Sequence, residues 1–258
     1  MMIDINAYLG PFAFRPLRHN TAEALLRLMD RKGIERAAVS SAASITYRNA
    51  HAGNEEVARQ IRPHRDRLVL FGVLNPAYAG WREDLRRLAE RHEARGLRLY
   101  PRWHNYRLTD AACLELAHEA TAFGLVISIP VRVEDRRQQS WLVDVADVDH
   151  AEIAALARAV QQARFVLLNG SGYTTSVLGR KDNGLPANYS VDISLLTAEL
   201  GNELGRLLDV LGEDRLLFGT GMPFHYPDPA LVKLELLEAS EAVKEKIRRG
   251  NAARLLNL

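Results

Sequence analysis

Short apolar runs alternate with stretches of helical period along the whole chain. Residues 2–6 predict a first strand. Asn20, with Glu23 three residues on as a reciprocal capping partner, opens a helix that lines one face with Leu25, Leu28 and Met29 and stops at Gly33. A second strand follows over 37–40, a helix over 54–61, and a third strand over 68–73 closed by Asn75-Pro76. Leu85, Leu88, Ala89 and His92 stand at helical spacing in a third helix that ends before Gly96. Strand four spans 97–100, its helix 110–123 and strand five 125–129, followed by a long polar loop over 131–149. The pattern resumes with a helix over 151–163, strand six over 165–168 and a weaker strand seven over 189–193. A helix over 202–211, stopped by Gly212, leads to strand eight over 215–218. Two helices end the chain, one opened by Asp228-Pro229 and one by Ser240, with Gly250 ending the second.

Runs such as 68–73 and 126–129 are apolar at every position, the mark of parallel strands buried on both faces. Eight strand–helix units without a linker, in a chain of 258 residues, predict one α/β domain over 1–258, a (β/α)8 TIM barrel. Composition adds exclusions. Thirty-four Lys+Arg against 32 Asp+Glu leave a net charge of +2, and no block of like charge marks a nucleic-acid binder. The single Cys113 allows neither an internal disulfide nor a zinc ribbon, and its place inside a helix reads as a small core residue. No uncharged apolar stretch is long enough to span a membrane, and the first residues lack a basic leader, so a cytoplasmic protein is expected.

In such a barrel the working residues lie at the C-terminal ends of the strands. Strand one delivers Asn6 and Tyr8 there, strand four Tyr100, Arg102, His104 and Tyr106, strand five Arg132 and Glu134, strand six Asn169 and strand eight His225. His104 is either a loop histidine bonded to backbone or a general acid–base. Arg102 and Arg132 are neighbours at one mouth, where two guanidinium forks can hold a carboxylate or phosphate. Glu134 and Asp135 either neutralise those arginines or serve His104, one of them as its orienting partner or as a base. Tyr8 and Tyr100 either donate protons or fill space. As buried amides, Asn6 and Asn169 need hydrogen-bond partners. His51, His104 and His225 all fall on mouth loops, so a metal site shared by the three is also conceivable. The loop over 174–190 lacks the GxxxxGK[ST] phosphate cradle.

Asp4-Ile5-Asn6-Ala7-Tyr8-Leu9-Gly10 resembles the first strand of the amidohydrolase-related branch of the amidohydrolase superfamily, which reads Asp-x-His-x-His-x-Gly. Gly96-Leu97-Arg98-Leu99-Tyr100-Pro101 is similar to its Gly-Val-Lys-Leu-His-Pro segment. Residues 215–223 are similar to its Arg-Leu-Leu-Phe-Gly-Ser-Asp-x-Pro strand eight, and Asn251-Ala252-Ala253-Arg254-Leu255 to its C-terminal signature. The resemblance implies the barrel and, in metal-dependent members, a divalent ion held by two strand-one histidines, histidines after strands five and six, and the strand-eight aspartate. The matching positions here are Asn6, Tyr8, approximately Pro130, Asn169 and Gly221, a set without zinc-ligand chemistry.

The resemblance therefore implies a hydrolase or lyase acting on a small carboxylated, anionic substrate without the usual metal or any other cofactor. It is shared in class, not in mechanism, with the pyrone dicarboxylate lactonases, whose first-strand histidines and last-strand aspartate this chain lacks. Its expected catalytic residues are His104, Tyr100 and Tyr8, and its expected substrate-binding residues are Asn6, Arg102, Arg132, Asn169, Tyr106 and His225. The alternative is a catalytically silent barrel that binds a metabolite or a protein partner. Neither nucleic acid nor membrane is an expected partner, and the outer faces could pair into a homo-oligomer.

Overall fold

The computed structural model describes residues 1–258. Eight parallel strands follow one another in chain order around a barrel. They are β1 (Met2–Leu9), β2 (Ile34–Ser41), β3 (Leu68–Val73), β4 (Gly96–Arg98), β5 (Val126–Pro130), β6 (Phe165–Leu168), β7 (Tyr189–Asp192) and β8 (Leu216–Leu217). The segment after β8 returns to β1 and closes the ring: Phe218 O accepts from Ile5 N at 3.0 Å, Asn6 O from Gly221 N at 2.8 Å and Met222 O from Tyr8 N at 2.9 Å.

The outer layer comprises α1 (Ala22–Lys32), α2 (Ala50–Ile61), α3 (Trp81–Arg86), α4 (Ala111–Ala122), α5 (His150–Ala159), α6 (Glu203–Leu211), α7 (Asp228–Leu236), α8 (Glu241–Glu245) and α9 (Asn251–Leu256). Several of the expected boundaries move. Thr21, not Asn20, caps α1 by accepting from Ala24 N. Asn49 caps α2, which therefore begins at Ala50 instead of residue 54. Gly250 does not end the last helix, because a wide turn over Lys246–Gly250 carries the chain straight into α9.

The N-terminal half of the barrel is filled by Ile3, Ile5, Phe71, Val126, Val166 and Leu217, and α9 adds Ala252 and Leu256 below them. Asn251 ties α9 to the sheet by donating to Leu216 O (2.8 Å) and Glu213 O (2.7 Å). Gly96 is required where it stands, since a Cβ there would lie 2.3 Å from the Phe71 ring. Halfway up the barrel Arg98 is fully buried, although it is a lone cation within an apolar strand. The β1–β2 pairing shifts register between Asp4 and Ala7, and the guanidinium binds the carbonyls of that stretch, Ala7 O at 3.1 Å and Ile5 O at 3.4 Å. Ser128 Oγ accepts from Nε at 3.2 Å, and the guanidinium carbon stacks 4.6 Å from the centre of the Tyr8 ring. A buried charge is tolerable only when its donors are satisfied in this way. No helix is long and apolar enough to cross a membrane.

Candidate active site

Above Arg98 the strand ends bring Asn6, Tyr8 and Asn169 together, all fully buried. Asn6 Nδ2 donates to Asn169 Oδ1 at 2.7 Å and to Asp192 Oδ2 at 2.8 Å. Asn169 Nδ2 donates to the Tyr8 hydroxyl at 3.3 Å, while its backbone N and Ser194 Oγ both donate to Asp192 Oδ1. Asp192, the last residue of β7, is thus the hub of the network, a role its place in a weak strand did not advertise. Burial pushes its carboxyl up to about 6 against the pull of these donors. One layer lower, Asp4 accepts from Thr220 Oγ1 at 2.6 Å and from two backbone amides, and burial raises it to about 7.

This ring occupies the place where the superfamily's divalent ion is expected, and its donor set does not fit that ion. Two neutral amides and a phenol are poor ligands, and the one carboxylate, Asp192, already accepts three hydrogen bonds. Gly221, at the expected aspartate, has φ +73°, and a Cβ there would lie 2.5 Å from His225 Cδ2 and 3.1 Å from Asn169 Oδ1. The imidazole of His225 fills the volume a carboxylate side chain would need. Burial, with the nearby Arg15 cation, pushes that imidazole down to about 4.

An aromatic plug seals the network from above. Tyr8 and Phe12 each meet the Phe224 ring edge-on at 4.9 Å, and Trp103 stands 6.0 Å from Phe12. The space that remains is displaced toward the ends of β4 and β5. A narrow pocket of about 20 Å³ lies there between Tyr100, Arg102, Arg132, Glu134 and Asp147. Arg102 is ion-paired with Glu152 at 2.8 Å and Arg132 with Asp147 at 2.5 Å. Even so, the Nε atoms of both arginines are buried without a partner, as is Glu134 Oε1. The other oxygen of Glu134 is held by Arg15 Nε at 2.8 Å. Burial raises the Glu134 carboxyl and the Arg15 charge pulls it back. Tyr100 forms the inner wall. Its hydroxyl is unpartnered, and burial holds its pKa well above the usual phenol range.

The remaining sequence candidates lie elsewhere. His104 turns its Nε2 to Ser44 O at 3.0 Å, and its ring packs beside Tyr100 at 5.9 Å. Tyr106 is a core residue behind His104, and His225 lines a separate groove with Arg15 and His19. His51, His104 and His225 do not converge, so the three-histidine metal site conceivable from the sequence is not formed; His51 instead faces Glu55 and His92 on the outer layer. From the sequence Asp192 is only one of the residues that strand seven delivers to the mouth, with no role attached, and Arg98, Glu152 and Asp147 are not singled out. The lone Arg98 in an apolar strand was the one available signal.

A family model described as amidohydrolase matches residues 8–258. Among solved structures, 2,6-dihydroxybenzoate decarboxylase from Rhizobium is similar at 18% identity, with 99% of this chain and 98% of that chain covered and a TM-score of 0.74. A dihydroxybenzoic acid decarboxylase from a Polaromonas species, with bound manganese and the inhibitor 2-nitroresorcinol, is similar at 19% identity, 100% and 97% coverage and a TM-score of 0.74. The 5-carboxyvanillate decarboxylase of Sphingomonas paucimobilis follows at 18%, 90% and 82%, with a TM-score of 0.67. At these identities the likeness is one of fold. No curated protein sequence matches the chain.

Proposed function

The chain belongs to the amidohydrolase family, and from that premise we propose that it is a hydrolase or lyase of a small carboxylated compound, working at the β4–β5 mouth without its family's divalent ion. The observation that carries this reading is the pair of buried, unpartnered Nε donors of Arg102 and Arg132 around one pocket. A buried guanidinium N–H without an acceptor is costly, and a substrate carboxylate supplies the acceptor. The three decarboxylases of similar fold, by their names, act on carboxylated aromatic compounds, which is consistent with such a ligand.

The two arginines bind the carboxylate, displacing Asp147 or Glu152 as it enters. Glu134, anchored through one oxygen by Arg15, moves a proton with the other. In a hydrolysis it takes the proton of the attacking water; in a decarboxylation it returns a proton to the carbon that loses CO2. The Tyr100 hydroxyl stays protonated and donates a hydrogen bond to oxygen charge developing on the substrate. His104 holds the Tyr100 ring from behind, and Asn6, Tyr8 and Asn169 form the rigid floor.

The test is binding and turnover of 2,6-dihydroxybenzoate, 5-carboxyvanillate and carboxylated lactones, with and without chelator in the assay. We expect a carboxylate to bind, turnover to persist under chelation, and Arg132→Ala to weaken binding roughly 10–100-fold, the worth of a charge-assisted hydrogen bond. Absence of binding by any carboxylate overturns the reading. So does turnover lost on chelation while circular dichroism shows the fold intact. The aromatic plug favours a second reading, a barrel that binds without converting. In that case a carboxylate binds, Arg132→Ala weakens binding to the same extent, and no product forms.

A further inference from the structure

On the outer layer, α2 and α3 bring a second set of chemistry-bearing side chains together. His51 and Glu55 stand four residues apart on one face of α2. Asp84 faces them from α3, and the wide turn over Arg87–Arg91 that continues α3 delivers His92. Glu55 Oε1 lies 3.3 Å from His51 Nε2 and 2.9 Å from His92 Nε2, and Asp84 Oδ1 lies 3.9 Å from His51 Nε2. The donor atoms of His51, Glu55 and His92 all fall within 4.8 Å of one another. Two ligands on a tetrahedral zinc ion are about 3.4 Å apart, given metal–ligand bonds of about 2.0–2.2 Å. His51, Glu55 and His92 therefore need shifts of about an ångström to close on one ion, and Asp84, which lies outside that group of three, must turn toward them to join.

A second observation points to a ligand. His51 is only 5% exposed, and its Nε2 is buried with no hydrogen-bond partner, although it aims into the cluster. The Glu55 oxygen nearby is committed to His92. Asn54 Nδ2 lies 3.5 Å from His51 Nδ1, too far to fix the ring in either tautomer, and is itself held by Val73 O at 2.7 Å. The carboxylate of buried Asp84 accepts no hydrogen bond, and its nearest cation is Arg87 at 3.8 Å. Two neutral imidazoles and two carboxylates are the donor set that zinc and its neighbours in the first transition row prefer.

We propose that His51, Glu55 and His92, with Asp84 as fourth ligand, form a binding site for a zinc-class divalent ion that staples α2 to α3. The site is closed, with no position left open for substrate, and it is separate from the barrel mouth. Loading removes no proton from the barrel and supplies no chemistry there; it fixes the two helices that flank β3.

The test uses untagged full-length protein, dialysed against chelator and titrated with Zn2+ or Co2+ alone. One equivalent of either ion binds, Co2+ gives the visible absorption of a four-coordinate site, and the melting temperature rises with free ion concentration. His92→Gln and His51→Gln each weaken the affinity by at least about tenfold, whereas His118→Gln, at an exposed position of α4, leaves it unchanged. Glu55→Gln gives the same loss at a partly exposed position where folding is not at risk. No binding up to millimolar ion, or binding that survives both histidine variants, overturns the proposal.

Discussion

On the function proposed above, Asp147 competes with the substrate carboxylate for Arg132, and replacing it with Asn isolates that role. Its Oδ2 takes Arg132 Nη2 at 2.5 Å and Arg136 Nη2 at 3.2 Å. Arg132 cannot present its fork to an incoming anion while this pair stands. Both members of the Arg132–Asp147 pair are a quarter exposed. Exposed ion pairs contribute ~0.2–1 kcal/mol and hydrogen bonds to charged groups ~1.5–3 kcal/mol, which places this one at ~1–2 kcal/mol. Asp147→Asn keeps the shape and removes the charge, so binding of 2,6-dihydroxybenzoate tightens roughly 5–30-fold. Isothermal titration of the wild type, Asp147→Asn, Arg132→Ala and the double variant measures it. The gain must vanish in the Arg132→Ala background, because the two residues act through one contact. An unchanged affinity in Asp147→Asn refutes the reasoning. A gain that persists without Arg132 also refutes it, since that would be a long-range charge effect.

Two further outcomes test the floor of the barrel mouth. Gly221→Ala destabilises by about 2–4 kcal/mol, combining a left-handed backbone with a Cβ set 2.5 Å from the His225 ring; denaturant unfolding measures it, and a change below about 0.5 kcal/mol contradicts the packing described. His225 is held neutral, with its pKa near 4 against an ordinary 6.5. The unfolded chain binds the extra proton first, so the contribution of His225 is fully present above pH 6.5 and is lost as pH falls toward 4. The 2.5-unit difference bounds it at about 3 kcal/mol. The stability gap between wild type and His225→Gln therefore moves in the variant's favour between pH 7.5 and pH 4.5, and a gap independent of pH refutes the assignment.

The barrel was legible in the sequence wherever both faces of a strand are buried. β3 and β6 lie where their unbroken apolar runs place them, because burial on two sides leaves no polar position to interrupt the pattern. β1 runs three residues past its expected end, since Asn6 and Tyr8 point into the mouth and break the apolar run while the backbone stays extended. Gly250 lies at φ −56°, a value open to any residue, so glycine there is no stop signal. Position along the strands was enough to assemble Asn6, Tyr8 and Asn169. Side-chain partners were not legible, because choosing Glu152 for Arg102, Asp147 for Arg132 and Ser44 O for His104 depends on loops that pass each other only in three dimensions.

The replaced residues at the mouth form one mutually dependent unit. Gly221 makes room for the His225 ring, and the same turn supplies the amide that closes the barrel on Asn6 O. Asn6 donates to Asn169 and to Asp192, and Tyr8 both accepts from Asn169 and meets Phe224 in the plug. Restoring any single family ligand leaves a buried amide without its partner or drives a side chain into His225. Each such step costs free energy before any ion can repay it. Two polar atoms of this unit, Asn6 Oδ1 and His225 Nε2, are unpartnered, but the amide nitrogens of both Asn6 and Asn169 are taken. Further free polar valences, those of Arg102, Arg132, Glu134 and Tyr100, are gathered around one pocket. Unmet hydrogen-bonding capacity, rather than position on the barrel axis, is what locates the candidate site between β4 and β5.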